Sequence, residues 1–132
     1  MAWLVEAVNA DTVIGCEPMP GAGTSAMHRV TVRNRDGTDV RVVMRRYVLA
    51  DYLEHEPDAP TTEIVALSGA PTAAVPTPGL IAGDPTAERC DAPTVVMGEL
   101  DGRPPWDLGL RSLDRLVDAV IAIHDVNIDS VT

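Results

Sequence analysis

The amino-acid sequence predicts an α+β fold in which five antiparallel strands form one sheet, with a helix inserted after the third strand and another following the fifth. Two patterns support this: short runs in which apolar and polar residues alternate, and turn residues such as Gly, Pro and Asp between those runs. A third is an amphipathic stretch near the C-terminus. With 132 residues, 45% of them hydrophobic, the chain is long enough for one small domain or half of a two-lobed protein.

The residue pattern of the first third of the chain predicts a short helix followed by a three-stranded antiparallel meander. The opening residues place apolar side chains at helical spacing, whereas the segments after them are rich in β-branched residues or alternate Val with polar side chains. Asp36-Gly37 supplies a hairpin turn between the second and third strands. The predicted helix covers residues 2–10, and the predicted strands cover residues 12–19, 27–33 and 40–46.

The rest of the chain predicts a helix, two strands and a final amphipathic helix. Thr61 is predicted to be the N-cap of the first of these helices, because its hydroxyl can accept a hydrogen bond from a free backbone amide. This start places Glu63 in the first helical turn. The last helix carries an apolar face that includes Leu110, Leu116 and Val120. The predicted helices cover residues 61–70 and 108–126, and the predicted strands cover residues 79–82 and 94–97.

Composition and charge exclude several classes of protein. The ten basic residues, all of them Arg, stand against twenty acidic ones, and the net charge of -10 argues against nucleic-acid binding. No apolar run has the length of a membrane span and the first residues do not resemble a signal peptide, so we expect a cytoplasmic location. Cys16 and Cys90 have no companions at metal-ligand spacing, which indicates reduced thiols. The absence of Lys and Phe is typical of a GC-rich bacterial genome.

Three features carry candidate chemistry, and each also has an ordinary structural explanation. The Gly-rich segment at residues 21–25 is either a simple hairpin loop or a phosphate-binding turn. Arg41, Val43 and Arg45 share one face of their strand, so the arginines either face solvent or hold the phosphates of a ligand whose ring lies on Val43. Glu63 is either a partner of the helix dipole or a functional carboxylate.

Taken in order, five segments resemble the aminoglycoside phosphotransferase and choline kinase family of the protein-kinase-like fold. They are GAGTSAMHRV, VVMRR, TEIVALSGAPTAAVPTPGLIA, APTVVMGELDG and LVDAVIAIHDVN. The resemblance covers nearly the whole chain and implies the N-terminal lobe of such an enzyme. It implies a nucleotide-binding lobe over residues 1–97, a hinge over residues 98–107, and over residues 108–132 a helix that would lead into an absent C-terminal lobe.

The resemblance implies an ATP site whose phosphate end falls on the loop, the third strand and the inserted helix. Arg45 matches the base that contacts the α and β phosphates, and Glu63 matches the helix carboxylate that orients this base. The family more often has Lys at the position of Arg45, and Arg offers a planar fork instead of a compact ammonium. The loop residues implied to face the phosphates are Gly21, Gly23, Thr24 and Ser25.

The adenine end of the implied site falls on the third and fifth strands and on the hinge. Val43 would lie against the adenine, and Met97 would form the back of its pocket. The Gly98 carbonyl and the Leu100 amide would bind the adenine edge.

The resemblance also implies that this chain is not active alone. Phosphoryl transfer in the family uses a catalytic Asp in an HGD-type loop and a metal-binding Asp, so magnesium would need the absent lobe. The segment His124-Asp125-Val126-Asn127 does not fit that loop, because Asn follows Asp after one residue and no Gly is present. An alternative is a non-catalytic interaction module or truncated remnant. The helix over residues 108–126 would then bind a second copy of the chain or a separate C-terminal lobe.

Overall fold

The computed structural model describes residues 2–21, 23–69, 75–102 and 109–126, and within these ranges it forms five strands and four helices. The strands are β1 (Thr12–Met19), β2 (Ala26–Arg33), β3 (Asp39–Arg46), β4 (Leu80–Asp84) and β5 (Thr94–Gly98). The helices are α1 (Ala2–Ala7), α2 (Ala50–His55), α3 (Ala59–Gly69) and α4 (Leu110–His124). The five predicted strands are confirmed, each to within about two residues at either end.

The strands form one antiparallel sheet in the order β1-β2-β3-β5-β4. The predicted meander of the first three strands is confirmed. Its second hairpin turns at Gly37, whose φ of 85° is a conformation that glycine adopts without strain. β5 lies between β3 and β4, and its residues Thr94, Val95, Val96 and Met97 are all buried.

Alternate residues along each strand point to opposite faces of the sheet, and each face packs against different helices. α1 covers one face, where Leu4 lies in a buried cluster with Val30 and Val42. α2 and α3 cover the other face, where Leu67 of α3 packs against a buried cluster that contains Val43. We call these two surfaces the α1 face and the α3 face.

α3 lies close to the edge strand β4 at Gly83. A Cβ atom at this position would lie 2.3 Å from Cδ1 and 2.8 Å from Cγ1 of Ile64. A side chain on residue 83 would therefore push Ile64 away from the sheet. Glycine at this position lets α3, and with it Glu63, approach the strands closely.

The start of α3 differs from the prediction. Thr61 is not its N-cap, because the helix begins at Ala59 and includes Pro60 in its first turn. Proline is tolerated there, since the first amides of a helix have no acceptor within it. Glu63 therefore lies in the second helical turn, and its predicted place in the first turn is wrong. The predicted end of this helix at residue 70 lies outside the described residues.

α4 exposes its apolar face. It ends at His124, whereas the predicted start at residue 108 lies outside the described residues. No extensive packing joins α4 to another described element. In the described ranges, neither α4 nor any other helix has the length and apolarity of a membrane span. The exposed apolar residues of α4 include Leu113, Leu116, Val117, Val120 and Ile121, each between 46% and 55% exposed.

The loop between β4 and β5 is organised by one buried carboxylate. Asp84 Oδ1 accepts a hydrogen bond of 2.9 Å from the backbone amide of Glu88. Its Oδ2 accepts bonds of 2.9 Å and 2.8 Å from the amides of Arg89 and Cys90. Burial acts to raise the pKa of Asp84, but these amides favour the ionised form and together bring the pKa below its ordinary value.

Replacement of Asp84 by Asn is expected to lower the free energy of unfolding at neutral pH by ~3 kcal/mol, because an amino group replaces an acceptor oxygen and leaves backbone amides unpaired. The pKa of Asp84 is lower in the folded chain than in the unfolded one. The stabilisation is therefore complete above the unfolded pKa of about 4 and is lost as the pH falls through the folded value. Urea unfolding at neutral and acidic pH measures both effects.

The control for this prediction is Asp114→Asn on the exposed surface of α4. This substitution should change the free energy of unfolding by less than about 0.5 kcal/mol at either pH. Equal losses in the two variants would show that Asp84 contributes no more than an exposed carboxylate.

Candidate functional site

Arg45 is held in one orientation by groups that are distant in sequence. Its Nε donates a hydrogen bond of 2.9 Å to Ser25 Oγ, and its Nη1 donates one of 2.9 Å to Glu63 Oε1. The second contact is also an ion pair between largely buried side chains, which are 27% and 18% exposed. The guanidinium carbon lies 4.9 Å from the centre of the Tyr47 ring, within the range of cation–π attraction. The loop before β2, β3 and α3 therefore meet at this side chain.

Glu63 is the second fixed group of the site. Its Oε2 accepts a hydrogen bond of 2.6 Å from the Tyr47 hydroxyl, while its Oε1 binds Arg45. Burial first, and then the bond to Glu63, raise the pKa of Tyr47 above its ordinary value, so the hydroxyl stays protonated and donates. The Tyr47 ring stacks on Tyr52 of α2 with ring centres 6.3 Å apart. Both oxygens of Glu63 are engaged, which fixes its orientation.

Arg45 retains donors that the described part of the protein does not use. A guanidinium carries five N–H groups in one plane, and the contacts with Ser25 and Glu63 use only those on Nε and Nη1. No described residue accepts a hydrogen bond from Nη2. Such a partly exposed edge of a fixed guanidinium is suited to a phosphate oxygen. The site can therefore bind an anion without breaking the pair with Glu63.

The loop between β1 and β2 forms the rest of the predicted phosphate end. Gly21 has a φ of 99° and is exposed, as is Gly23, and the space around both is open. Thr24 is half-buried. Ser25 is buried and its hydroxyl binds Arg45. The structure thus brings Ser25 to Arg45 and leaves the two glycines at the surface of the loop.

The predicted adenine end lies on the same α3 face. Val43 and Met97 pair across β3 and β5, and each is only 6% exposed. The Gly98 amide donates a hydrogen bond of 2.9 Å to the Gly79 carbonyl, which ties the end of β5 to the segment before β4. Leu100 is exposed. The predicted hinge is described up to residue 102, and its predicted end at residue 107 lies outside the described residues.

Three participants in this face were not predicted from the sequence: Tyr47, Arg29 and Glu99. Tyr47 follows Arg45 by two residues, so continuing the strand alternation would have placed it on the same face. Arg29 Nε lies 2.6 Å from Glu99 Oε1, and Arg41 Nε lies 3.0 Å from Glu99 Oε2. These ion pairs join strands to the residue after β5, and no local sequence pattern signals such distant partners.

The described residues offer no metal site. In the described ranges, no group of three or more His, Cys, Asp or Glu side chains is arranged to hold a metal ion. Cys16 and Cys90 are free thiols. The acidic residues of the segment 51–58 are exposed, as expected for a solvated surface.

Comparison with known proteins places this geometry in a known fold. No protein-family model and no curated protein sequence matches the chain. Among solved structures, the chain is similar to a protein from Ralstonia eutropha JMP134 described as a putative aminoglycoside phosphotransferase, with a TM-score of 0.67 and 16% sequence identity. The fold is that of a kinase-like N-terminal lobe. The match covers 98% of this chain and 38% of the Ralstonia protein, so the chain spans well under half the length of that relative.

The kinase-like N-terminal lobe implied by the sequence resemblance is therefore confirmed as a fold. Its five-stranded antiparallel sheet, inserted helices and following helix all lie within the matched region. The likeness concerns architecture, and the chemistry of the site is argued from its own side chains.

Replacement of Tyr47 by Phe is expected to lower the free energy of unfolding by ~1.5 kcal/mol, because Glu63 Oε2 loses its donor while the ring is kept. Urea unfolding measures the change. Tyr52→Phe is the matched control, since it also removes one hydroxyl and preserves the ring stacking. If both variants lose the same stability, the hydrogen bond to Glu63 is not what holds this part of the site.

Proposed function

We propose that this chain is the ATP-binding N-terminal lobe of an aminoglycoside phosphotransferase-like small-molecule kinase. The observation that carries the proposal is the orientation of Arg45, which Ser25 and Glu63 hold while Nη2 keeps its donors for a ligand. A fixed planar cation of this kind binds phosphate oxygens with directed, charge-assisted hydrogen bonds. In the proposed complex Arg45 binds the α and β phosphates of ATP.

The pairing with Glu63 supports this role for Arg45. The chain carries a net charge of -10, so a phosphate ligand is repelled at long range and needs a local cation. Glu63 keeps the guanidinium in place before the ligand arrives, which lowers the entropy lost on binding. Because Tyr47 satisfies the second oxygen of Glu63, the carboxylate is not drawn away from Arg45.

In this proposal the chain positions the nucleotide and does not catalyse transfer alone. ATP supplies the phosphoryl group, and transfer also needs a general base and metal ligands beside the γ-phosphate. In the described ranges no three His, Cys, Asp or Glu side chains are grouped to hold a metal ion, and the proposal assigns magnesium binding and the catalytic Asp to a second lobe. We also place the protein in the cytoplasm, where ATP is supplied.

Titration of the purified chain with magnesium and ATP in a calorimeter is expected to show weak, saturable binding. Arg45→Ala should weaken it by about tenfold or more, because the phosphate loses its directed donor. Arg45→Lys should retain part of the affinity, because Lys keeps the positive charge but lacks the planar set of N–H donors of the guanidinium. Arg33→Ala, which removes an exposed guanidinium paired with Asp39 at the far end of β2, should bind like the wild type.

Two results would contradict the proposal. The first is the same affinity for ATP in Arg45→Ala and wild type, with both shown to be folded by circular dichroism. The second is phosphoryl transfer from ATP by the purified chain alone, which would show that the chain already holds a base and metal ligands.

The exposed face of α4 favours a second, interaction role. Leu113, Leu116 and Val120 recur at helical spacing and are about half exposed, whereas Arg115 and Asp118 lie on the polar side. An apolar stripe of this size is typical of a helix that packs against another polypeptide. We propose that the α4 helix packs against a C-terminal lobe, and that in the free chain a second copy covers it.

Sedimentation of the free chain is expected to show concentration-dependent dimers. Leu116→Glu should shift the population to monomer, because it places a charge in the centre of the apolar stripe. Arg115→Glu introduces the same carboxylate on the polar side of the helix and should leave dimerisation unchanged. A chain that stays monomeric at high concentration, or two variants that behave alike, would exclude self-association through this face.

A further inference from the structure

Ion pairs cross the α3 face next to the predicted adenine end of the site. Glu99 receives Arg29 on one oxygen at 2.6 Å and Arg41 on the other at 3.0 Å, and its side chain is only 12% exposed. The Oε1 contact with Arg29 is a hydrogen bond, whereas the buried Oε2 accepts none from a described residue. Arg29 is therefore the more tightly held of the two arginines.

The contact between Arg29 and Glu99 joins residues on either side of β3. Arg29 pairs with Val43 and Val43 pairs with Met97, so the three side chains share the α3 face. Glu99 follows Met97 by two residues. β3 lies between β2 and β5, and neighbouring strands are about 4.8 Å apart, so the contact between the Arg29 and Glu99 side chains spans β3.

Carboxylates contact the Arg29 guanidinium from two sides. Glu99 lies beyond β5, and Glu17 lies on β1 with Oε2 3.7 Å from Arg29 Nη1. These groups stand on opposite sides of Arg29 across the width of the sheet. These contacts hold the guanidinium on the α3 face, and the Arg29 side chain is 35% exposed.

We propose that the Arg29 guanidinium is the platform on which the aromatic base of a bound nucleoside triphosphate stacks. This inference rests on the proposed function, and it makes Arg29, instead of Val43, the surface that meets the base. Planar guanidinium groups stack on aromatic rings and attract their π electrons. Arg45 pairs with Met27, two residues before Arg29, so phosphate donor and base platform are about 7 Å apart along the strands. Glu99 acts as a positioning residue that holds the Arg29 guanidinium on this face.

The test compares ATP with a ligand that has the three phosphates and lacks the nucleoside. ATP and inorganic tripolyphosphate are titrated separately into wild type, Arg29→Ala, Arg29→Lys and the control Arg33→Ala. We expect both Arg29 variants to bind ATP about tenfold more weakly and tripolyphosphate as the wild type does, since Lys keeps the charge and loses the flat surface. Arg33→Ala should bind both ligands normally, and Glu99→Gln should weaken ATP binding alone.

Each other result overturns the inference in a recognisable way. Tighter ATP binding by Arg29→Ala would show that Arg29 blocks the base. Equal weakening for both ligands would show that it contacts phosphates. Equal affinity of the wild type for tripolyphosphate and ATP would show that there is no base platform, although Arg45 would keep its proposed role. If the wild type binds neither ligand at millimolar concentration, the proposed function itself is contradicted.

Discussion

The ion pair between Arg45 and Glu63 is the contact on which the geometry of the α3 face depends. It joins the centre of the sheet to the inserted helix, and its two members also bind Ser25 and Tyr47. Removing either charge would leave the other one largely buried without its partner, a change that costs about 3–5 kcal/mol in buried pairs. Loop, strand and helix therefore depend on one another through this pair.

The two faces of the sheet differ in the chemistry of their side chains. The α1 face has a buried apolar cluster around Leu4, Val30 and Val42. The α3 face combines apolar side chains with guanidinium groups, which are tolerated because each has a carboxylate partner. Gly83 adds to this by letting α3 lie close enough for Glu63 to reach Arg45. A face that is charged, paired and pre-arranged is suited to a polar ligand, whereas the α1 face is suited to stability.

Most of the fold could be predicted because strands leave a local signal. Alternation and the Asp36-Gly37 turn depend only on neighbouring residues, and they located the meander. The start of α3 was misplaced because Thr61 has the chemistry of a cap, and Pro60 was not recognised as a residue of the first turn. The fixed arrangement of Arg45 and Glu63 was expected only through a family resemblance. The crossing from Arg29 to Glu99 depends on strand order and side-chain direction, which no local pattern contains.

Arg at position 45, where the resembling family more often has Lys, gives each partner of this side chain its own nitrogen. A Lys ammonium has three donors on a single nitrogen, so a hydroxyl and a carboxylate would both have to lie around that one atom. The guanidinium separates these partners among its nitrogens, because Nε binds Ser25, Nη1 binds Glu63, and Nη2 keeps its donors. The Arg45 guanidinium also lies over the Tyr47 ring, with its carbon 4.9 Å from the ring centre. In this environment Arg45 is a cation with a fixed orientation, and no described residue accepts a hydrogen bond from its Nη2.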